Sequence, residues 1–573
     1  MHKRDFSANN RLLLLSVFAL AIGVISSIGA WALLATIRFF TNLFFYQTIS
    51  LVARSPADNR LGVWVVLVPV AGGLVVGLMA RFGSEKIRGH GIPEALEAIL
   101  FGKSRMSPMV AALKPLASGI VIGSGGPFGA EGPIIMTGGA AASLLAQAFH
   151  LSSVERKALL VAGACAGMTA VFGTPLAAVL LAVELLLFEL RPRSLLPVAL
   201  ACAVAGFLRP VWADAGPLFP LATAEPTSIA MLSCIIVGLA SGLVSSAMTM
   251  ALYRIEDGFA RLPVHWMWWP ALGGIAVGLG GLIEPRALGV GYDVIGDLLA
   301  NRLLLSTVVP LLLVKIVIWA IALGSGTSGG VLAPLLMIGA GVGCVLAPWL
   351  PGGDPGLWAL VGMSATLGGT MRTPLTAVVF AFGLTHDANA FLPTLLGCVV
   401  AYGFSVIVMP RSILTEKIAR RGHHVYREYG VDPLERQFVD EVMTQDVIAI
   451  PADLTVSAVL ADYFGAGQRH RAYPLVAGQQ FVGLIDREAL QDLPPGSLHD
   501  AAGNLLAKVS SDYALPGETC RSVALRMAAH DLERLAVVDS IDSRRLVGIV
   551  SRSDLLKPSR QLHDDEIRRE RFL

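Results

Sequence analysis

The chain has 573 residues, of which 54% are hydrophobic and 15% charged, and its mean hydropathy is +0.66. Soluble domains carry about 25% charged residues, so a wholly soluble protein is excluded and an integral membrane protein with a soluble attachment is expected. The net charge of +2 carries no message about nucleic acid, and the six cysteines form no C-x-x-C pair that would suggest a redox or metal motif.

The first apolar run, residues 12–37, follows the basic pair Lys3 and Arg4. It is too long for a signal-peptide core and has no A-x-A cleavage site, so it reads as a retained helix with a cytoplasmic N-terminus. Further apolar runs cover residues 61–80, 159–188, 196–207, 230–252, 303–323 and 391–409. Many are long enough to span a hydrocarbon core of about 30 Å. Two others, 109–122 and 133–148, are short or interrupted by glycine and proline. Broken helices are tolerated at membrane depth where they line a cavity or pack inside protein, and in matching halves they point to a binding site near the midplane.

Two internal matches indicate such halves. The stretch 123-GSGGPFGAEGP-133 returns as 324-GSGTSGGVLAP-334, and Thr-Pro-Leu-x-Ala-Val occurs at 174–179 and 373–378. Gly123 and Gly324 are 201 residues apart, Thr174 and Thr373 are 199 apart. One offset for two matches argues for a duplicated membrane unit with halves at about 10–212 and 225–410. The residues alone leave open whether the copies are inverted.

The membrane domain is expected to occupy residues 1–411. A linker at 412–439 contains the basic stretch Lys417-Ile-Ala-Arg-Arg421, which suggests a cytoplasmic exit. Beyond it, short β-like runs alternate with helical ones. Phe481-Val-Gly-Leu-Ile485 and Leu546-Val-Gly-Ile-Val550 end two small α/β repeats, at 440–493 and 505–560, before a polar tail at 561–573.

The glycine-rich loops carry the chemistry. A chain that leaves such a loop and enters a helix presents unpaired amides, and the helix dipole adds about half a positive charge there. Glycine admits a close ligand and proline suits the first helical turn, so the end is an anion site made without a cation. The loop at Gly89-His-Gly-Ile-Pro-Glu94 has the same ingredients. Glu131 stands where an anion would sit, and its carboxylate is expected to fill the amide cradle when the anion is absent, as a gate, a proton carrier or both. The competing reading of glycine-rich membrane segments is helix packing. Duplication and an intramembrane acid weigh against it. For His90, a packed histidine and a lining of the ion path weigh equally, as do a hydrogen-bonding and a functional role for Glu184. The repeated Thr-Pro-Leu motif reads as packing.

These residues resemble the CLC family of chloride channels and proton-coupled chloride exchangers over about residues 10–425. Gly89-His-Gly-Ile-Pro93 looks like the family's G-S-G-I-P, Gly129-Ala-Glu-Gly-Pro133 like G-[KR]-E-G-P, and Gly330-Val-Leu-Ala-Pro334 like G-x-F-x-P. The resemblance implies an all-α polytopic membrane fold of two inverted repeats with broken helices, a homodimer, and one pore per subunit. It makes Glu131 the gating glutamate and assigns anion binding to Gly89, His90, Gly91, Ile92, Gly129, Gly132, Val331, Leu332 and Leu414. His90 replaces a coordinating serine and Leu414 a coordinating tyrosine, which opens the anion preference to nitrate and others. Ala130 replaces a basic residue, and Leu332 and Gly383 replace a phenylalanine and a glutamate. Leu185 stands at the place of a proton-relay glutamate. Its loss favours a gated chloride channel, with a proton-coupled exchanger as the alternative.

The C-terminal repeats look like tandem cystathionine-β-synthase (CBS) domains, which often bind adenine nucleotides. Gly548-Ile-Val-Ser-Arg-Ser-Asp554 fits G-x-[IV]-[ST]-x-x-D, which assigns nucleotide contacts to Ser551 and Asp554. The first copy carries Asp486 and Ala489 there and is degenerate; a purely structural module is the equal alternative. Transport itself is expected to need no cofactor, no metal and no nucleic acid. The expected setting is a bacterial inner membrane with both termini cytoplasmic. A membrane metalloprotease would need H-E-x-x-H, and no histidine here precedes a glutamate. A divalent-cation transporter would need clustered carboxylates, and here they are scattered.

Overall fold

The computed structural model describes residues 11–425, 433–435, 437–465, 468, 470–487, 490, 497–504, 511–557 and 569–570. The chain divides into two compact units, Met1–Arg427 with Arg568–Leu573, and Glu428–Ile567.

The first unit is helical. Its first half contains α1 (Arg11–Tyr46), α2 (Leu67–Phe82), α3 (Ile92–Leu100), α4 (Pro108–Gly123), α5 (Glu131–Gln147), α6 (Ser153–Phe172), α7 (Pro175–Leu181) and α8 (Pro192–Leu208). The second half repeats the series as α9 (Ala230–Ala260), α10 (Trp269–Ile283), α11 (Tyr292–Leu299), α12 (Leu305–Gly324), α13 (Leu332–Leu346), α14 (Pro355–Met371), α15 (Pro374–Thr385) and α16 (Phe391–Val408), followed by α17 (Ile413–Arg420). Among the described residues, eight helices are long and apolar enough to cross a membrane.

Local chemistry sets the breaks. The apolar run 159–188 is divided because Gly173 takes a left-handed conformation (φ 71°) and Pro175 opens α7. It ends in a π-helical turn, Ala182–Leu187. Ser152 accepts from the Glu155 amide at 3.2 Å while Glu155 accepts from the Ser152 amide at 2.8 Å, a capping box that starts α6. Arg372 (φ 58°) ends α14 in the left-handed region, and its guanidinium holds the carbonyls of Ser405 (3.0 Å) in the last turn of α16 and of Met409 and Pro410 (3.3 Å) just beyond it.

The two halves meet about a local two-fold. Gly129 and Gly330, which are 201 residues apart, exchange both backbone hydrogen bonds (3.2 and 2.9 Å) as an antiparallel bridge. Gly89 N donates to Gly326 O (3.4 Å) and, at the equivalent place, Gly289 N donates to Gly125 O (3.0 Å). Each crossing is held by a fully buried lysine. Lys114 donates to the carbonyls of Ile87 (2.8 Å) and Gly89 (2.7 Å), and Lys315 to those of Ala287 and Gly289 (2.9 Å each).

One boundary differs from the sequence reading, which placed residues 412–439 in a linker. Helix α17 belongs to the membrane unit: Ile413, Leu414 and Ile418 are fully buried, the Tyr253 hydroxyl donates to Ile413 O, and Arg420 pairs with Asp257 at the end of α9. The expected polar tail also contains structure, since β8 (Arg569–Glu570) pairs antiparallel with β1 (Leu151–Ser152).

Among its described residues the second unit holds two three-stranded sheets of one topology. In each, a short strand runs parallel to a longer one that pairs antiparallel with a third: β2 (Ile450–Pro451), β3 (Ala472–Ala477) and β4 (Gln480–Asp486), then β5 (Tyr513–Ala514), β6 (Arg534–Val538) and β7 (Leu546–Ser551). Both antiparallel ladders shift register in the middle strand, at Leu475/Val476 and Val537/Val538. The first core gathers Ile450, Val456, Leu475 and Ile485, the second Val523, Leu535, Val537 and Val550.

Candidate functional site

The Gly129–Gly330 bridge brings the N-terminal ends of α5 and α13 together. Their first amides have no intrahelical acceptor, and the two dipoles sum at one place. Glu131, fully buried, begins α5 and folds back over the bridge: a Cβ at Gly129 would fall 1.9 Å from its Oε2, and one at Gly330 2.5 Å from the same oxygen. A side chain at Gly129 would push the carboxylate away, and one at Gly330 would also strike the Gly129 carbonyl oxygen at 2.5 Å. Oε1 accepts from the Ala333 amide of the opposite half at 3.0 Å, while buried Oε2 has no partner among the described residues. The amides of Val331 and Leu332 stand at this same helix start.

A third helix start joins them. Gly89 (φ 79°) and Gly91 (φ 90°) turn the loop before α3, where Ile92 is the first residue and is fully buried. The loop presses on α5, since a Cβ at Gly132 would lie 1.8 Å from the His90 carbonyl oxygen. The His90 side chain is buried, and neither ring nitrogen has a hydrogen-bond partner among the described residues. Glu94 accepts from the Gly91 amide at 3.0 Å and is held in turn by Arg421 (2.9 Å) and Lys417 (3.7 Å), which clamps α3 to the end of α17. A charged cavity of ≈ 630 Å³, lined by Glu94, Glu97, Lys417, Arg421 and His423, extends to Met136 of α5, which packs against Gly91.

The structure therefore brings Gly89, His90, Gly91, Gly129, Glu131, Gly132 and Val331 to one buried place where three helix starts converge. Leu414 is buried on α17, whose far end is clamped to α3. Leu185 is fully buried in the π-helical turn. Beside it, Glu184 accepts from the amides of Leu375 (3.2 Å) and Thr376 (2.7 Å) and from the Thr376 hydroxyl (2.6 Å), and so caps α15. Sequence reasoning passed over Ala333, Lys114 and Lys315. The signal for the lysines was present: a cation inside an apolar run, repeated at the 201-residue offset of the glycine motif.

In the second unit, Ser551 and Asp554 form a capping box at the start of the helix Arg552–Leu555. Asp554 Oδ2 takes the Ser551 amide at 2.9 Å and hydroxyl at 2.6 Å, and Lys557 lies 2.6 Å from Oδ1. Asp486 ends β4, and Ala489 lies outside the described residues. Among the described residues no group of three or more His, Cys, Asp or Glu side chains is placed to hold a metal.

Residues 71–406 match the family model described as voltage gated chloride channel, and residues 439–494 and 512–559 each match the CBS domain. A protein named putative chloride channel protein ClcB-like, from Ralstonia nicotianae, is 30% identical over 366 residues, which cover 62% of this chain and 85% of that one. Among solved structures, a slow cyanobacterial Cl-/H+ antiporter superposes with a TM-score of 0.64 at 21% identity, over 72% of this chain and 99% of that one. A eukaryotic CLC transporter superposes with a TM-score of 0.62 at 18% identity, over 95% of this chain and 98% of that one. With the glycine bridge, the converging helix starts and the duplicated helix series, these matches place the chain in the voltage-gated chloride channel (CLC) family, as a multi-pass membrane protein of anion transport with a C-terminal CBS pair.

Proposed function

We propose that the chain is a chloride channel whose path is closed by the Glu131 carboxylate. One observation carries this reading: the carboxylate occupies the amide cradle at the start of α13, on the opposite half, where a small anion would bind. An anion and Glu131 compete for one set of donors, so departure of the carboxylate opens the site. His90 supplies a second donor from the loop before α3; its ring, unpartnered among the described residues, stands in for the hydroxyls that His90 and Leu414 replace.

The channel reading rests on Leu185 and Glu184. The first offers no titratable group, and the second is committed to capping α15. A proton-coupled exchanger is the second reading, favoured by the likeness to a structure titled as a Cl-/H+ antiporter. Purified protein in chloride-loaded liposomes separates them. Chloride efflux without proton movement supports the channel. Uphill proton movement driven by chloride makes the chain an exchanger, and efflux of nitrate in place of chloride moves the assignment to another anion.

The functional unit we propose is a homodimer in a bacterial inner membrane with both termini cytoplasmic. The exposed apolar residues Leu176, Phe207, Leu375 and Ile407 of α7, α8, α15 and α16 supply apolar surface for such a contact. The CBS pair is proposed to regulate transport, with Ser551 and Asp554 as contacts for an adenine nucleotide. Radiolabelled nucleotide binding to the full-length protein, lost in Asp554→Ala, tests that assignment.

A further inference from the structure

The second half contains a loop equivalent to the one that holds His90. Gly289-Val-Gly-Tyr-Asp293 lies 200 residues beyond Gly89-His-Gly-Ile-Pro93, has left-handed glycines at the same two places (Gly289 φ 67°, Gly291 φ 79°), and is anchored by Lys315 as the first loop is by Lys114. It sends Tyr292 into the first turn of α11. The ring packs edge-on to Phe172 and against Phe219, each with centroids 6.2 Å apart, and the buried hydroxyl has no hydrogen-bond partner among the described residues.

A buried hydroxyl without a partner is unfavourable, and so is a buried carboxylate oxygen without a donor. Here the two occur together. Oε2 of Glu131 is also unpartnered among the described residues, and the Tyr292 loop packs on the helix whose start holds Glu131: a Cβ at Gly291 would meet Met337 of α13, one turn beyond Ala333. One group is an acceptor short of a donor, and the other is a donor short of an acceptor. Both deficits would be removed if the Glu131 carboxylate turned away from Ala333 and met the Tyr292 hydroxyl.

We propose that Tyr292 is a positioning residue for the gate: its hydroxyl donates to the Glu131 carboxylate when that group leaves the α13 amides, and so stabilises the open path. The inference rests on the reading of Glu131 as the gate. The open position thus belongs to the second half, like the amide of Ala333 that holds the closed one. Lys315 fixes the loop's carbonyls, which keeps the hydroxyl in place while the glutamate moves.

The test measures chloride efflux from liposomes for the wild type, Tyr292→Phe, Glu131→Ala and the double variant. Tyr292→Phe keeps the ring and removes the donor. It is expected to slow efflux about tenfold, the worth of a hydrogen bond to a charged group, and to change nothing in the Glu131→Ala background. An unchanged rate in Tyr292→Phe alone, with Glu131→Ala altered, overturns the role of Tyr292 and leaves the gate standing. Equal slowing with and without Glu131 overturns it as well, by showing a packing effect. If Glu131→Ala itself matches the wild type, the gate reading fails, and this inference with it.

Discussion

The Glu131 carboxylate and the Ala333 amide hydrogen-bond across the two halves of the membrane unit at 3.0 Å. A residue of the first half is thereby the ligand of the second half's helix start. The glycines beneath it leave room for this one side chain and no other: a Cβ at Gly129 or Gly330 would overlap the carboxylate. Gly129→Ala is therefore expected to displace Glu131 and reproduce the flux of Glu131→Ala, measured as chloride efflux.

We propose His90 as an anion donor at the place where the family motif has a serine. His90→Ser restores a small hydroxyl and is expected to raise the chloride-to-nitrate efflux ratio severalfold, whereas His90→Ala lowers uptake of both anions. Competition efflux with the two anions checks this. Equal ratios in all three proteins would make His90 a packed residue.

Lys114 and Lys315 each satisfy two buried carbonyls that no other side chain reaches in the described hydrogen-bond network. Leaving a buried acceptor unpaired costs about 1–3 kcal/mol. Lys315→Met is expected to lower the unfolding midpoint of the detergent-solubilised protein by several degrees. Lys114→Met is expected to do the same and also to weaken anion binding, because its loop carries His90.

Glu184 has the same kind of role at α15. Glu184→Ala removes a cap and is expected to cost about 1–2 kcal/mol of stability, read as a lower unfolding midpoint. The ratio of proton to chloride movement stays as in the wild type. A changed ratio would place Glu184 on a proton path instead.

In the second unit, burial pushes the Asp554 carboxyl up, but Lys557 and the hydrogen bonds of Ser551 outweigh it and hold the group below the usual carboxylate range. A carboxylate depressed in the folded state stabilises at neutral pH, and that contribution disappears as pH falls below about 4. Asp554→Ala loses it at all pH values. Amide exchange of β7 in the full-length protein is expected to quicken about fivefold in this variant at neutral pH, for about 1 kcal/mol of lost capping.

Much of this architecture was legible because it is written twice. The glycine motifs at one offset gave the halves, and Glu131 stood out as an acid among apolar residues. The inversion was not legible, since it depends on where helices break: Gly173 and Pro175 divide a run that composition alone reads as continuous. Helix α17 was assigned to a linker because it is short and basic, while its burial comes from only three apolar residues on one face. Ala333 was invisible because a backbone amide has no side-chain signature. Tyr292 was invisible because its loop shares only the glycines of the first copy, and the lysines that mark the equivalence lie 23 to 25 residues further on, as Lys114 does from Gly91 and Gly89 and Lys315 from Tyr292.

The most direct test of the central claim is chloride efflux from liposomes as a function of pH, for the wild type and Glu131→Ala side by side. If the carboxylate closes the path, the wild-type rate varies with pH, and Glu131→Ala is at least as fast at every pH and insensitive to it. The same rate and the same pH dependence in both proteins would contradict the account.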